Sequence, residues 1–144
     1  MSNNLKIKRL SHVSLSTKDF KKVEKFYCDI LGMQIVHKFV NLQNEIYGLF
    51  LHAGNSTFLE FFKSSNLPEK TGRLRHFCFE ILNIYEIKKI FEKNDFDVSI
   101  SRGKTDRILQ FTVKDFEENL VEFHQHDDQS KLKFYINEKA WRNT

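Results

Sequence analysis

Cysteine, proline and glycine are all scarce in this chain of 144 residues, at two, one and five. Two cysteines, Cys28 and Cys78, are too few for a disulfide framework or a cysteine-ligated zinc site, and a reducing cytoplasm is the expected setting. Long apolar runs are missing as well. The longest cover only a few residues, against the roughly 20 that a membrane-spanning helix needs. The opening residues, MSNNLKIKRL, are polar and lead straight into a strand-like stretch, so no signal peptide and no membrane contact is expected. Charge of one sign does not accumulate either. The 23 Lys and Arg against 19 Asp and Glu leave +4, interleaved along the chain. A nucleic-acid binder concentrates its cations on one stripe, so none is expected, and only a mild preference for anionic small molecules remains.

What is plentiful is phenylalanine, 15 in all, which points to a strand-rich core with aromatic walls. Apolar residues at 40% and charged ones at 29% suffice for a core and argue against a disordered chain. The length fits one domain, or two small modules sharing a core.

An internal repeat decides between these. LSHVSL at 10–15 overlies LRHFCF at 74–79, with His12 on His76. At the same offset Asp19 falls on Asn83, both good helix N-caps. Phe20, Val23, Phe26 and Tyr27 fall on Ile84, Ile87, Ile90 and Phe91, an amphipathic stripe written twice. Asn83 and Glu86 have capping-box spacing, and Gly32 is placed to end the first helix. The repeat resumes where Leu59-Glu60-Phe61 matches Val121-Glu122-Phe123. Between the halves, KSSNLPEKTG at 63–72 holds the only proline, Pro68, and reads as a linker.

Each half therefore reads as strand, helix and three strands. Strands are expected at 8–16, 34–40, 46–53 and 57–62 with a helix at 20–31. In the second half they fall at 73–81, 97–101, 107–113 and 119–125 with a helix at 84–94. The fold class is α+β: module 5–62 and module 73–126 make one domain over 1–126. The tail 127–144 begins with Asp127-Asp128 and is expected to form a short helix using Leu132, Tyr135, Ile136 and Trp141.

The repeat also delivers four good metal donors: His12, Glu60, His76 and Glu122. The histidines open the first strand of each half and the glutamates lie in the last. Side chains alternate along a strand, so under a pseudo-twofold arrangement of the modules all four would face one cup. Two imidazoles and two carboxylates suit a divalent first-row ion and leave positions for water or substrate. A lone strand histidine is commonly structural, and a lone Glu guards an edge. Here each recurs at the equivalent place, and a Glu among Leu59, Phe61 and Phe62 needs a partner if buried.

These segments, LSHVSLSTKDFKKVEKFYCDILGM, TFLEFF, RHFCFE and LQFTVKDFEENLVEFH, resemble the vicinal oxygen chelate superfamily over about residues 8–126. It includes glyoxalase I, fosfomycin resistance proteins, methylmalonyl-CoA epimerase and extradiol dioxygenases. The resemblance implies paired βαβββ modules around one divalent ion (Zn, Ni, Co, Mn or Fe) with ligands at His12, Glu60, His76 and Glu122. Two departures bear on function. Relatives often carry Asp-Pro-Asp-Gly-Asn in the last hairpin; here it is Asp115-Phe116-Glu117-Glu118-Asn119, and a longer or differently shaped turn is expected. The arginine that glyoxalase I relatives place soon after the first ligand is absent, with Ser14 and Ser16 in that stretch, which counts against glutathione as cosubstrate. VEFHQ is similar to the ending in fosfomycin resistance proteins, where Ser14 would stand for a hydroxyl they use. Those proteins and the dioxygenases lack a carboxylate at the position of Glu60, so Glu60 favours the isomerase and lyase branch.

The implied chemistry is that of a metal-dependent isomerase or lyase on a small substrate with two adjacent oxygens. The ion stabilises an enediolate or similar oxyanion as a Lewis acid, and Glu122 or Glu60 moves the proton as the catalytic base. Alternation puts Ser14, Cys78, Phe58, Phe62 and His124 on the ligands' faces as substrate contacts, Cys78 more as a small filler than a nucleophile. His37, His52 and His126 have no repeat partner and are read as structural. Arg102, Lys104 and Arg107 surround Gly103 in a loop suited to a carboxylate or phosphate. Two alternatives stand beside this: a transferase or ring-opening dioxygenase using His12, His76 and Glu122 alone, and a module that sequesters a drug without chemistry. A homodimer is expected, since short strand edges and Phe-rich faces call for cover.

Overall fold

The computed structural model describes residues 7–67 and 72–132. The chain divides between residues 67 and 68 into two compact units, and each is a four-stranded mixed sheet with a helix on one face. The two βαβββ modules read from the repeat are present.

In the first module, β1 is His12–Thr17, α1 is Phe20–Val23, β2 is Gln34–Val40, β3 is Ile46–Gly54 and β4 is Thr57–Lys63. The sheet order is β1-β4-β3-β2, with β1 parallel to β4 and the other pairs antiparallel. Strand β1 starts later than expected because its partner sets its length. Strand β4 begins only after the tight turn at Asn55 and Ser56, both at positive φ, so His12 is the first residue with a partner, Phe58. Asp19 caps α1, accepting from the Lys21 N–H at 2.9 Å. The expected single helix is instead α-helical for four residues and π-helical over Glu24–Ile30. The wider winding still buries Val23, Phe26, Tyr27 and Ile30 on one side. Gly32, at φ 74°, ends it, donating to the Cys28 carbonyl at 2.9 Å.

The core of this module lies between helix and sheet. Leu49, Leu51, Leu59 and Phe61 point to the helix and are buried, and Tyr27 packs on Phe61 with ring centroids 5.0 Å apart. Alternation sends Gly48, Phe50, His52, Phe58, Glu60, Phe62, His12 and Ser14 to the opposite face.

In the second module, β5 is Phe77–Glu80, α2 is Ile84–Glu92, β6 is Ser101–Arg102, β7 is Leu109–Lys114 and β8 is Leu120–Gln125, ordered β5-β8-β7-β6. Strand β5 is shorter than the expected 73–81, for the same reason as β1. Phe77 pairs with Val121, one residue after β8 begins, so nothing stands opposite Arg73 to Arg75. Strand β6 keeps only the two residues that β7 can pair, Ser101 with Gln110 and Arg102 with Leu109. Asn83 caps α2, accepting from the N–H groups of Tyr85 and Glu86, and the Ile84 N–H donates to the Gln125 side chain at 2.8 Å. Ile84 and Phe91 are buried beneath the sheet, while Ile90, expected on the apolar stripe, is exposed. Phe91, Phe111 and Phe123 form the core cluster, with Phe111 and Phe123 stacked at 4.9 Å.

The hairpin expected to be longer or differently shaped is compact, with a non-glycine residue at its left-handed position. The Asp115 N–H donates to the Asn119 carbonyl at 3.0 Å, and the Asp115 carboxylate accepts from the Glu117 and Asn119 N–H groups. Glu118 takes the left-handed position, φ 70°, that glycine would otherwise occupy. The hairpin between β2 and β3 repeats this plan with Asn41 and Asn44. Of the tail, Asp127 to Leu132 are described, with Leu132 exposed; Tyr135, Ile136 and Trp141 lie outside the described residues. Among those residues no helix is long and apolar enough to cross a membrane, which says nothing of spans made by strands.

Candidate metal centre

The two modules repeat one backbone relationship. In each, the residue two after the histidine stands opposite the glutamate on the neighbouring parallel strand: Ser14 opposite Glu60, and Cys78 opposite Glu122. His12 opens β1, and His76 directly precedes β5. The period-two rule then puts histidine and glutamate on the same face, the one turned away from the helix.

The side chains differ between modules. In the second, His76 Nε2 lies 3.0 Å from Glu122 Oε2 and His124 Nε2 lies 3.3 Å from Glu122 Oε1. Glu122 is largely buried, its side chain 13% exposed, against 47% for His76. A carboxylate taken out of water calls for cationic or hydrogen-bonding partners; His76 lies at hydrogen-bonding distance, whereas His124 stands close without completing a bond. In the first module His12 turns edge-on to Phe50, ring centroids 5.9 Å apart. Among the described residues, no ion pair joins His12 to Glu60.

The neighbours explain the contrast. Opposite Glu60 on β3 stands Phe50, and opposite Glu122 on β7 stands Thr112. Phe50 stacks on Phe58 at 4.8 Å, and His52 tilts against Phe58 at 5.5 Å. Phe62 meets Phe39 at 5.1 Å and Tyr47 at 5.9 Å. Glu60 and His12 thus sit on an aromatic wall, whereas Glu122 sits among Cys78, Glu80, Thr112 and His124. The sequence reading placed Ser14, Phe58, Phe62, Cys78 and His124 on these faces. It missed Phe50 and Thr112, which only the hairpin register puts across from the two glutamates.

Donor atoms of Cys78, Glu122 and His124 lie within 4.8 Å of one another. The Cys78 thiol is pushed up to about 12 by desolvation first, then by the charges of Glu122 and Glu80. It is therefore a neutral thiol and no nucleophile near neutral pH. His124 Nε2 is buried and lacks a hydrogen bond in acceptable geometry, which is uncommon for a buried ring nitrogen. A carboxylate flanked by imidazoles, one carrying an orphaned nitrogen, fits a divalent first-row ion.

The cationic loop has partners within its own module. Arg102 pairs with both oxygens of Asp127, at 2.6 and 3.0 Å, and donates to the Arg107 carbonyl at 2.6 Å. That pairing raises the arginine further and holds the Asp127 carboxyl down to about 2. Arg107 sits at φ 64° and reaches the Gln129 side chain at 3.4 Å. Lys104 has no ion pair among the described residues. His37 packs on Phe39, and His126 Nδ1 lies 2.8 Å from the Ser130 hydroxyl.

Two βαβββ modules, each setting a histidine and a glutamate on the sheet face away from its helix, define a class of small metal-site folds. The chain belongs to the Glyoxalase/Bleomycin resistance protein/Dioxygenase superfamily, whose profile matches residues 9–123. It is 32% identical over 90 residues to the mitochondrial methylmalonyl-CoA epimerase of Mus musculus, a match covering 55% of this chain and 49% of that protein. The chain thus spans about half the length of that relative. A glyoxalase family protein from Enterococcus faecalis superposes with a TM-score of 0.70 at 21% identity, covering 83% of this chain and 99% of the other. A lactoylglutathione lyase from Agrobacterium tumefaciens gives 0.62 at 22%, covering 84% and 96%. The two structural likenesses establish the fold.

Proposed function

We propose that this protein is a divalent-metal-dependent isomerase or lyase acting on a small substrate with two adjacent oxygens. His12, Glu60, His76 and Glu122 are its metal-binding residues. The observation that carries this reading is the repeated register, a histidine and a glutamate on one sheet face in both modules, with Glu122 drawn between two imidazoles. The similarity to a protein named an epimerase supports chemistry at a carbon that loses and regains a proton. When bound, the ion supplies a Lewis acid for the substrate's oxygens.

Glu122 or Glu60 takes and returns the proton, and the two are unequal. Glu122 is shared between His76 and His124. Glu60 is half-buried against Phe50, Phe58 and Phe62, with no hydrogen bond among the described residues. The freer carboxylate is the better placed to move, which assigns the base to Glu60 and the holding role to Glu122. The aromatic wall around Glu60 excludes water from that side and receives the apolar part of a substrate. Ser14, opposite Glu60, offers it a hydroxyl, and Lys104 stands available for a carboxylate or phosphate.

The test is proton exchange in D2O. Vicinally oxygenated acids, hydroxyketones and thioesters are incubated with the metal-loaded chain, and loss of the C–H signal is followed by NMR. Metal-dependent exchange that Glu60→Gln abolishes while metal content persists is expected, since Gln keeps an oxygen donor but takes no proton. Full exchange in that variant would move the base to Glu122. Absence of bound metal and of exchange would favour a sequestering module.

The chain is further proposed to work in the cytoplasm, where Cys28 and Cys78 stay as free thiols, and as a homodimer. Val36, Val40 and Leu42 leave apolar surface exposed along the edge strand β2 and its hairpin. Sedimentation at tens of micromolar (order of magnitude) should give a dimer mass; a monomer would refute the assembly.

A further inference from the structure

The repeat breaks at one informative place. Two residues after Glu60 stands Phe62; two residues after Glu122 stands His124. Strand alternation puts each on its glutamate's face, and the register agrees, with His124 opposite Glu80 on β5 and Gln110 on β7. Glu122 thus has a nitrogen donor beside it where Glu60 has a phenyl ring.

The two imidazoles near Glu122 have different parts. His76 Nε2 lies 3.0 Å from Oε2, and His124 Nε2 lies 3.3 Å from the other oxygen, Oε1. Nitrogens on opposite oxygens of one carboxylate do not converge on a common point. His124 Nε2 is also buried and without a completed hydrogen bond, which is costly until a partner turns into line. The carboxylate oxygen within its reach is Oε1. The other polar neighbours leave that oxygen alone. The Cys78 thiol lies 3.7 Å from the Phe79 carbonyl. Thr112, opposite Glu122 on β7, makes no hydrogen bond to it among the described residues.

As ligands of one ion, His76 Nε2 and Glu122 Oε2 would each turn a lone pair towards it, and the contact between them would no longer hold the carboxylate. Oε1 then calls for a donor of its own, because metal-bound carboxylates are themselves hydrogen-bonded. A small turn of either side chain lets His124 Nε2–H supply that bond. Phe62 has nothing to donate to Glu60.

We infer that His124 is a positioning residue for Glu122: its Nε2–H holds Oε1, so that Oε2 is presented to the ion. This rests on the metal reading above, leaves the ligands as His12, Glu60, His76 and Glu122, and deepens it by naming what fixes one glutamate and not the other. Glu122 is held from behind, and Glu60 stays free to turn and exchange a proton.

The experiment uses the full chain, stripped with a chelator and titrated with zinc by calorimetry, with X-ray absorption counting imidazoles per bound zinc. His124→Phe gives the second module the residue of the first and removes the donor. It should weaken zinc by about 10- to 100-fold with the imidazole count unchanged. His124→Gln carries an amide N–H at about the reach of Nε2 and should restore most of the lost affinity. Circular dichroism checks that both variants fold. An imidazole missing from the zinc shell of His124→Phe would make His124 a ligand and overturn the inference. So would equal weakening in the Phe and Gln variants, which would reduce His124 to packing, or wild-type affinity in His124→Phe. Zinc binding absent from the wild type, or untouched by His76→Ala and Glu122→Ala, would instead overturn the metal reading and this inference with it.

Discussion

His76 meets Glu122 at 3.0 Å, Nε2 to Oε2, whereas His12, at the equivalent backbone position, leans on Phe50. One register thus yields two environments, because the residue facing the glutamate across the antiparallel pair is Thr112 in one module and Phe50 in the other. The small residue leaves the polar cluster room to close, and the large one fills that space with an aromatic ring. A duplicated module can diverge in this way without moving a strand: the histidine and glutamate positions persist while the residues that line them change.

The first prediction concerns metal and stability. Each carboxylate on these faces prefers a cation to partial burial alone, so an ion held at the proposed ligands would bind the folded chain and not the unfolded one. At a hundredfold excess over Kd this stabilises by about 2.7 kcal/mol, or roughly 5–10 °C in Tm for a chain of this size. Scanning calorimetry with and without a chelator should show that difference in the wild type. His76→Ala should abolish most of it. An unchanged Tm on chelation of protein shown to hold metal would contradict the assignment.

The second prediction concerns the aromatic wall. A Cβ added at Gly48 would lie 2.6 Å from Phe62 Cε1 and 2.9 Å from Phe39 Cδ2, so the two rings pack where any larger residue would stand. Gly48→Ala should force them apart and cost about 1–3 kcal/mol in denaturant unfolding. The near-UV circular dichroism should change with it, because Tyr47 stacks on the same Phe62 ring. Wild-type stability and spectrum in the variant would mean the rings are held loosely and shape no substrate site.

Much of this was legible in the sequence, and the physical reason is repetition. Matching His12 to His76 and Glu60 to Glu122 brought the modules, the caps at Asp19 and Asn83, and the shared face, since alternation converts spacing into side. Strand ends were less legible. Whether Arg73 or Leu74 lies in a strand depends on where β8 begins, a partner's property rather than a local one. The π-helical winding after Val23 keeps the same apolar side as an α-helix, so periodicity does not reveal it. The loop around Gly103 shows the largest gap. Arg102, Lys104 and Arg107 look equivalent in sequence, yet Asp127, 25 residues later, occupies Arg102, while Lys104 and Arg107 have no ion pair among the described residues.

The last prediction follows from that pairing. The Arg102 guanidinium, with smaller help from the backbone N–H groups of Gln129 and Ser130, holds the Asp127 carboxyl down to about 2, below the ordinary value near about 4. A folded-state pKa below the unfolded one means the folded chain holds the proton more weakly. The resulting stabilisation is complete above about pH 4 and disappears as pH falls from there through about 2. Asp127→Asn removes the charge and this contribution together. The stability difference between wild type and Asp127→Asn in urea should therefore be constant from about pH 5 to 7 and shrink as the acid limb is entered. The same acid shift should release Arg102 from Asp127 and loosen the loop, read as faster amide exchange at Gly103 and Ile108, whose N–H···O bond of 2.9 Å closes the turn. A difference between the two proteins that stays flat down to pH 2 would show that the ion pair seen here contributes nothing in solution.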